Sequence, residues 1–154
     1  MSAKGTASGP RRLGKREISS LLKRSSIASL ATVDAAGRPH VIPMWFRHQD
    51  GALLFPTSSK TRKVRHLTRN PYAAATIHET KGGIGNSGVL LRGRVEVVRG
   101  PEAKLLNRAI HLRYVTARQL RSPVLAEYLS TDDVTIRMTI EETVSWDFAG
   151  LYET

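Results

Sequence analysis

Apolar positions along this chain switch between two periods. Ile18, Leu21 and Leu22 recur at helical spacing and predict a short amphipathic helix over residues 15–24. Ser26 to Val33 reads as a strand of small residues. Asp34-Ala-Ala-Gly37 reads as a turn in which Gly37 suits a positive φ. Residues 40–48 and 51–56 predict a hairpin closed by Asp50-Gly51, a strong short-range hairpin signal. Val64 and Leu67 then form a narrow helical stripe, with Ser58 or Ser59 as N-cap and Asn70-Pro71 as the stop. Tyr72 to His78 is a strand, 80–87 a Gly-rich loop, and 88–98 a strand that alternates from Arg92 onward with Arg94 and Glu96 on the wet face. Pro101-Glu102 opens a helix over 101–117, since proline is tolerated at a first helical position. A short helix over 123–129 and two strands, 133–140 and 143–149, complete the pattern.

Six or seven strands with few helices and no βαβ rhythm point to a mainly β fold. An antiparallel barrel suits them best, because closing a sheet removes its exposed edges. The 154 residues suggest one domain over 15–154, able to bury roughly two thirds of its unfolded surface. Residues 1–14, with Gly5, Gly9, Pro10 and Gly14 among scattered charges, read as a disordered basic tail. The chain has no transmembrane run, and its basic N-terminus lacks an apolar signal core, so a cytoplasmic location is expected.

Charge changes the picture more than composition does. The formal charge is +11, and it sits in two places. Residues 1–24 hold seven Lys/Arg against one Glu, residues 60–69 hold five Lys/Arg against no acid, and the remainder balances. In the second segment Lys60, Arg62 and Lys63 crowd the expected first helical turn. A helix start already carries partial positive charge and ordinarily attracts Asp or Glu. Three cations there, with hydroxyls and free amides, describe either a solvated basic face or a phosphate site. None of the nine aromatic residues interleaves this helix, which argues against specific nucleic-acid binding, although a basic tail binds polyanions at low salt.

Recognisable catalytic patterns are missing. Gly83-Ile-Gly85-Asn-Ser-Gly88 matches G-x-G-x-x-G, but a β pattern follows where a dinucleotide site needs a helix. This stretch is expected to be a flexible loop that could serve as a lid. Without cysteine there is no thiol nucleophile or iron–sulfur cluster, and the five histidines show no metal-ligand spacing. Asp132-Asp133 and Glu141-Glu142 are adjacent pairs that a strand would aim at opposite faces, so neither is expected to be an acid/base dyad. No catalytic residue is identified, and difficult chemistry would have to come from a cofactor.

The run SIASLATVDAAGRPHVIPMWFRHQDGALLFPTSSKTRKVRHLTRNP resembles the pyridoxamine 5′-phosphate oxidase-like split β-barrel family, in its flavin- and deazaflavin-dependent oxidoreductase branch. The shared pattern is LATV-D-x-x-G-x-P-H-V-x-P-x-W-F, a hairpin, then T-x-x-x-T-R-K-V-R-x-L-x-x-N-P, and the resemblance covers residues 18–98 and the last strand. It implies a six-stranded antiparallel split barrel, a homodimer with cofactor between subunits, and coenzyme F420 or FMN as that cofactor. By motif, Thr57, Ser58, Thr61, Arg62 and Lys63 would hold the phosphate. Val41, Ile42 and Pro43 would lie along the ring, and Trp45 and Trp146 would be ring or groove neighbours, or simple core residues. F420, with a phosphate and a carboxylate-bearing tail, fits the clustered cations better than FMN. The implied reaction is hydride transfer to a conjugated, electron-poor acceptor such as a quinone or a tetrapyrrole such as biliverdin. A non-catalytic cofactor- or polyanion-binding module is the alternative of another class.

Overall fold

The computed structural model describes residues 9–24, 27–82 and 85–149. In chain order the elements are α1 (Lys15–Arg24), β1 (Ala28–Val33), β2 (Pro39–Met44), β3 (Arg47–Gln49), β4 (Ala52–Thr57), α2 (Arg62–Arg69), β5 (Tyr72–Lys81), β6 (Gly85–Val98), α3 (Gly100–Tyr114), α4 (Ala117–Leu120), α5 (Pro123–Ser130) and β7 (Val134–Asp147). The strands form one antiparallel sheet in the order β2-β1-β5-β6-β7-β4-β3.

Seven strands laid flat would separate β2 from β3 by roughly 29 Å, at about 4.8 Å per strand. Yet only Trp45 and Phe46 lie between the two in the chain, and three residue steps reach about 10 Å. The sheet must therefore curl until its edges meet, leaving a barrel split along the β2/β3 seam. This is also why 40–48 is not one hairpin arm. Residues 39–44 pair with β1, whereas 47–49 pair with β4 around Asp50-Gly51. The short β3 raises the strand count from the expected six to seven.

Phe46, at the crossing, is fully buried with Leu30, Phe55, Ile77, Leu91, Ile136 and Met138 in the barrel core. The end of α3 holds its backbone. Tyr114 Oη accepts from Phe46 N at 2.9 Å and donates to Phe46 O at 3.1 Å. Arg113 donates to Phe46 O at 2.6 Å and to the Leu22 and Lys23 carbonyls at 2.8 and 3.1 Å. Those two carbonyls close α1, where a helix runs out of internal donors. One guanidinium thus ties α1 and α3 to the seam.

The last two expected strands are one. β7 runs unbroken through Glu141-Glu142 because a bulge absorbs an extra residue. Arg92 pairs with Glu142 and Gly93 with Ile140, which leaves Glu141 unopposed. Gly93 is required there, since a Cβ would run into the Thr139 carbonyl. The expected Gly-rich loop also shrinks: β5 and β6 stay paired to Lys81 and Gly85. No helix follows that motif, and Gly83 and Ile84 lie outside the described residues. The helix expected over 101–117 stops at Tyr114, and α4 starts anew behind a Thr116–Gln119 capping box.

Residues 1–8 of the expected tail, and Ser26 at the start of the first expected strand, lie outside the described residues. Arg11, expected in the disordered tail, is instead placed against the barrel. It forms a β-bridge with Asp147, and its guanidinium reaches Glu17 at 2.8 Å and Asp147 at 2.6 Å. Glu17, held by Arg11 and by the Gly14 amide, has its pKa lowered to about 2. Among the described residues no helix is long and apolar enough to cross a membrane.

Gly93→Ala should lower unfolding free energy by about 1–3 kcal/mol or more, the cost of forcing backbone shifts at a packed contact. Urea titration checks this; a loss within 0.5 kcal/mol would show that the bulge tolerates a side chain.

Candidate functional site

β4 ends at Thr57, and the chain turns through Ser58–Lys60 into α2. The turn is clamped from outside: Ser59 N and Oγ donate to Asp133 at 2.6 and 2.7 Å, which holds that carboxyl below its usual pKa. The N-cap is Thr61, not Ser58 or Ser59. Thr61 Oγ1 donates back to the Ser58 carbonyl at 2.9 Å, so it caps nothing, and no acid occupies the first turn. The first-turn amides remain available to a ligand.

The later cap splits the three cations. Lys60 precedes the helix, Arg62 is exposed, and Lys63 turns inward beside Val64 and Leu67. Lys63 is 7% exposed, and its ammonium donates to Thr57 Oγ1 at 3.1 Å. It forms no ion pair among the described residues. Burial pushes its pKa down, and the negative charge of Asp132 pulls partly the other way. A buried ammonium held by one neutral hydroxyl is an unfavourable arrangement that an incoming anion would relieve.

β2 supplies a wall. His40, Ile42 and Met44 are half-buried, while Pro39, Val41 and Pro43 are exposed, Val41 at 61%. As a sheet edge, β2 keeps one side of its backbone polar groups free of strand partners. Arg47 pairs with Leu54, so the antiparallel register carries Trp45 toward the Pro56–Thr57 end of β4. Trp45 stacks on Tyr114, with ring centroids 4.5 Å apart and planes 5° off parallel, and meets the His111 ring edge-on at 6.3 Å. His111 Nε2 lies 2.9 Å from Asp132 Oδ2, and Asn107 donates to the Asp132 and Val134 carbonyls at 3.0 Å each.

Thr57, Ser58, Thr61, Arg62 and Lys63 are thus gathered at one helix start. Val41, Ile42 and Pro43 lie on β2, and Trp45 lies in the link that leads from it toward the Pro56–Thr57 end of β4. Trp146 is not brought to them. Val134 pairs with Thr57, and Trp146 lies twelve residues further along β7, about 40 Å at strand rise. There its indole donates to Asn86 Oδ1 at 3.0 Å and packs on Gly88, where a Cβ would sit 2.6 Å from the ring. Within one chain Trp146 is a packing residue. His111, Asp132 and Tyr114 were not legible as site neighbours, because only the fold joins α3 to the seam. Asp132 and Asp133 do diverge, toward His111 and Ser59, but they do so just before β7 begins rather than within a strand.

Residues 15–147 match the sequence profile described as pyridoxamine 5′-phosphate oxidase. The chain belongs to that family. It is a family of flavin-binding proteins that includes oxidoreductases. Among solved structures, a conserved hypothetical protein from Mycobacterium tuberculosis is 26% identical, with a TM-score of 0.75 over 88% of this chain and 85% of that one. A protein described as an F420 reductase is 28% identical, with a TM-score of 0.62 over 81% of this chain and 94% of that one. General stress protein 26 of Bacillus subtilis (strain 168) is 29% identical over 90 residues, which span 58% of this chain and 64% of that protein, less than two thirds of its length.

Lys63→Met keeps the volume and removes the buried charge, so without ligand the variant should be as stable as the parent or up to about 2 kcal/mol more stable. Because the folded pKa of Lys63 lies below its unfolded value, the parent should regain stability as pH rises through the alkaline window between the two, and the variant should not. Denaturant titrations across that window check both statements; a variant that is destabilised at every pH would refute the uncompensated charge.

Proposed function

We propose that the protein is an F420-dependent oxidoreductase that reduces a conjugated, electron-poor acceptor such as a quinone or a tetrapyrrole such as biliverdin. The observation that carries this is Lys63, a buried ammonium with no ion pair among the described residues, at a helix start without a side-chain cap. Thr57, Ser58, Thr61, Arg62 and Lys63 would hold the phosphate, with the helix amides adding donors. Val41, Ile42 and Pro43 would lie along the ring, where the free edge of β2 offers backbone groups to its polar rim. Trp45, fixed by Tyr114, would close one side against water. When bound, the reduced deazaflavin supplies a hydride. The chain's own contribution is to position that ring against the acceptor and exclude solvent.

F420 is favoured over FMN by the five cations and no acid of residues 60–69, which suit a ligand carrying several carboxylates beyond its phosphate. The F420 reductase likeness supports the same choice. A homodimer with cofactor in the groove between subunits completes the reading, and it is the arrangement in which a partner's Trp146 could line the groove.

Fluorescence titrations with F420 and FMN in parallel, at low salt, should give at least about tenfold tighter binding of F420, the scale of one charge-assisted hydrogen bond. Lys63→Ala should cost F420 roughly 1.5–3 kcal/mol of binding, and Arg69→Ala, at the opposite helix end, little. Equal or reversed affinities for the two cofactors would move the assignment to FMN. Tight F420 binding with no oxidation of the reduced form by any candidate acceptor would leave a binding module. Light scattering at micromolar concentration should report a dimer, and a monomer would contradict the shared groove.

A further inference from the structure

The outward face of α2 carries a second concentration of charge, separate from Lys63. Arg62, Arg65 and Arg69 are exposed, whereas Lys63, Val64 and Leu67 are buried, so the two sets lie on different sides of the helix. Arg69 is six residues beyond Lys63, about 9 Å along the axis. Between this outer face and the β1–β2 turn lies a hollow of about 330 Å³ lined by Arg38, Arg65, His66, Arg69 and Asp34.

Its one carboxylate is already used. Asp34 accepts from the Ala36 and Arg38 amides and from Arg38 Nε, each at 2.9 Å, and these bonds hold its pKa down. Arg65 donates to the Lys60 carbonyl at 3.2 Å, and Arg69 forms no ion pair or side-chain hydrogen bond among the described residues. Three guanidiniums against one occupied carboxylate leave the hollow with a formal charge of +2. His66 is fixed by a 2.9 Å hydrogen bond between its Nδ1 and the hydroxyl of Thr32, which is 1% exposed. Its ring is held from β1 by that bond and from β2 by the His40 ring, which meets it edge-on with centroids 5.6 Å apart. Planar guanidiniums beside an oriented imidazole suit an oxyanion with more than one charge.

We propose that this hollow is a second ligand site, apart from the phosphate site at the helix start, that takes a small organic dianion, either a phosphate monoester or a dicarboxylate. The test uses the full-length Lys63→Met protein, in which the helix-start cation is gone. Inorganic phosphate and succinate are titrated separately at low ionic strength while the His66 ring resonances, assigned with His66→Gln, are followed by NMR. At least one probe should shift them saturably, with a dissociation constant of about 1 mM or tighter. The shift should weaken about tenfold or more when Arg65→Gln and Arg69→Gln are added, because both substitutions remove charge-assisted donors. Arg108→Gln, an exposed arginine on α3, should leave it unchanged. Saturation by phosphate alone identifies the monoester class, by succinate alone the dicarboxylate class, and by both a general dianion site. No saturable shift with either probe, or full affinity in the Arg65/Arg69 variant, would overturn the proposal.

Discussion

Everything in this molecule hangs on a two-residue crossing. Trp45 and Phe46 carry the chain from one edge of a seven-stranded sheet to the other, a step that a flat sheet cannot accommodate. Barrel closure is therefore a constraint of connectivity, and core burial stabilises what connectivity demands. The crossing is expensive in polar groups, because an edge-to-edge link cannot satisfy its backbone by ladder pairing. Arg113 and Tyr114 meet that need with bonds to Phe46 and to the last carbonyls of α1. The same residues that close the barrel also position Trp45, since Tyr114 is the ring on which it stacks.

Closure has a second consequence. It leads β2, an edge strand with free backbone groups, into a link that runs toward the Pro56–Thr57 end of β4, where α2 follows with free first-turn amides. Neither feature alone would define a site. The inward turn of Lys63 adds the decisive element, a cation withdrawn from water and given, among the described residues, only a hydroxyl. Asp132 lies near enough to temper the charge but is committed to His111. Folding thus tolerates an unfavourable local arrangement at this point, which is the pattern expected where binding energy is to be gained.

Much of the fold could be read from local chemistry. Asp50-Gly51 and Asp34–Gly37 placed their turns, and the Val64/Leu67 stripe placed α2, because each signal is complete within a few residues. The misreadings share a cause, which is pairing between distant segments. The residues of 40–48 give no sign that they divide between two partners. The bulge at Glu141 exists only because Gly93 faces it across the sheet. The site was legible to the extent that its chemistry is local: the cations of α2 stood out against the helix dipole. Which of them turned inward was not, because the helix begins after Thr61 rather than after Ser58 or Ser59, and that later start decides which side chain faces the core. His111, Asp132 and Tyr114 come from far beyond α2 in the chain, and Trp146 was grouped with the site by motif while the ladder carries it to the far end of β7.

The central claim is that Lys63 is a buried cation awaiting an anion, and its ionisation reports on this directly. NMR titration of the Lys63 side chain, labelled at Cε, should show a pKa below the ordinary lysine range in the ligand-free protein. With F420 bound that pKa should rise, because a neighbouring negative charge favours the ammonium. An ordinary lysine pKa that does not move when F420 binds would contradict the account.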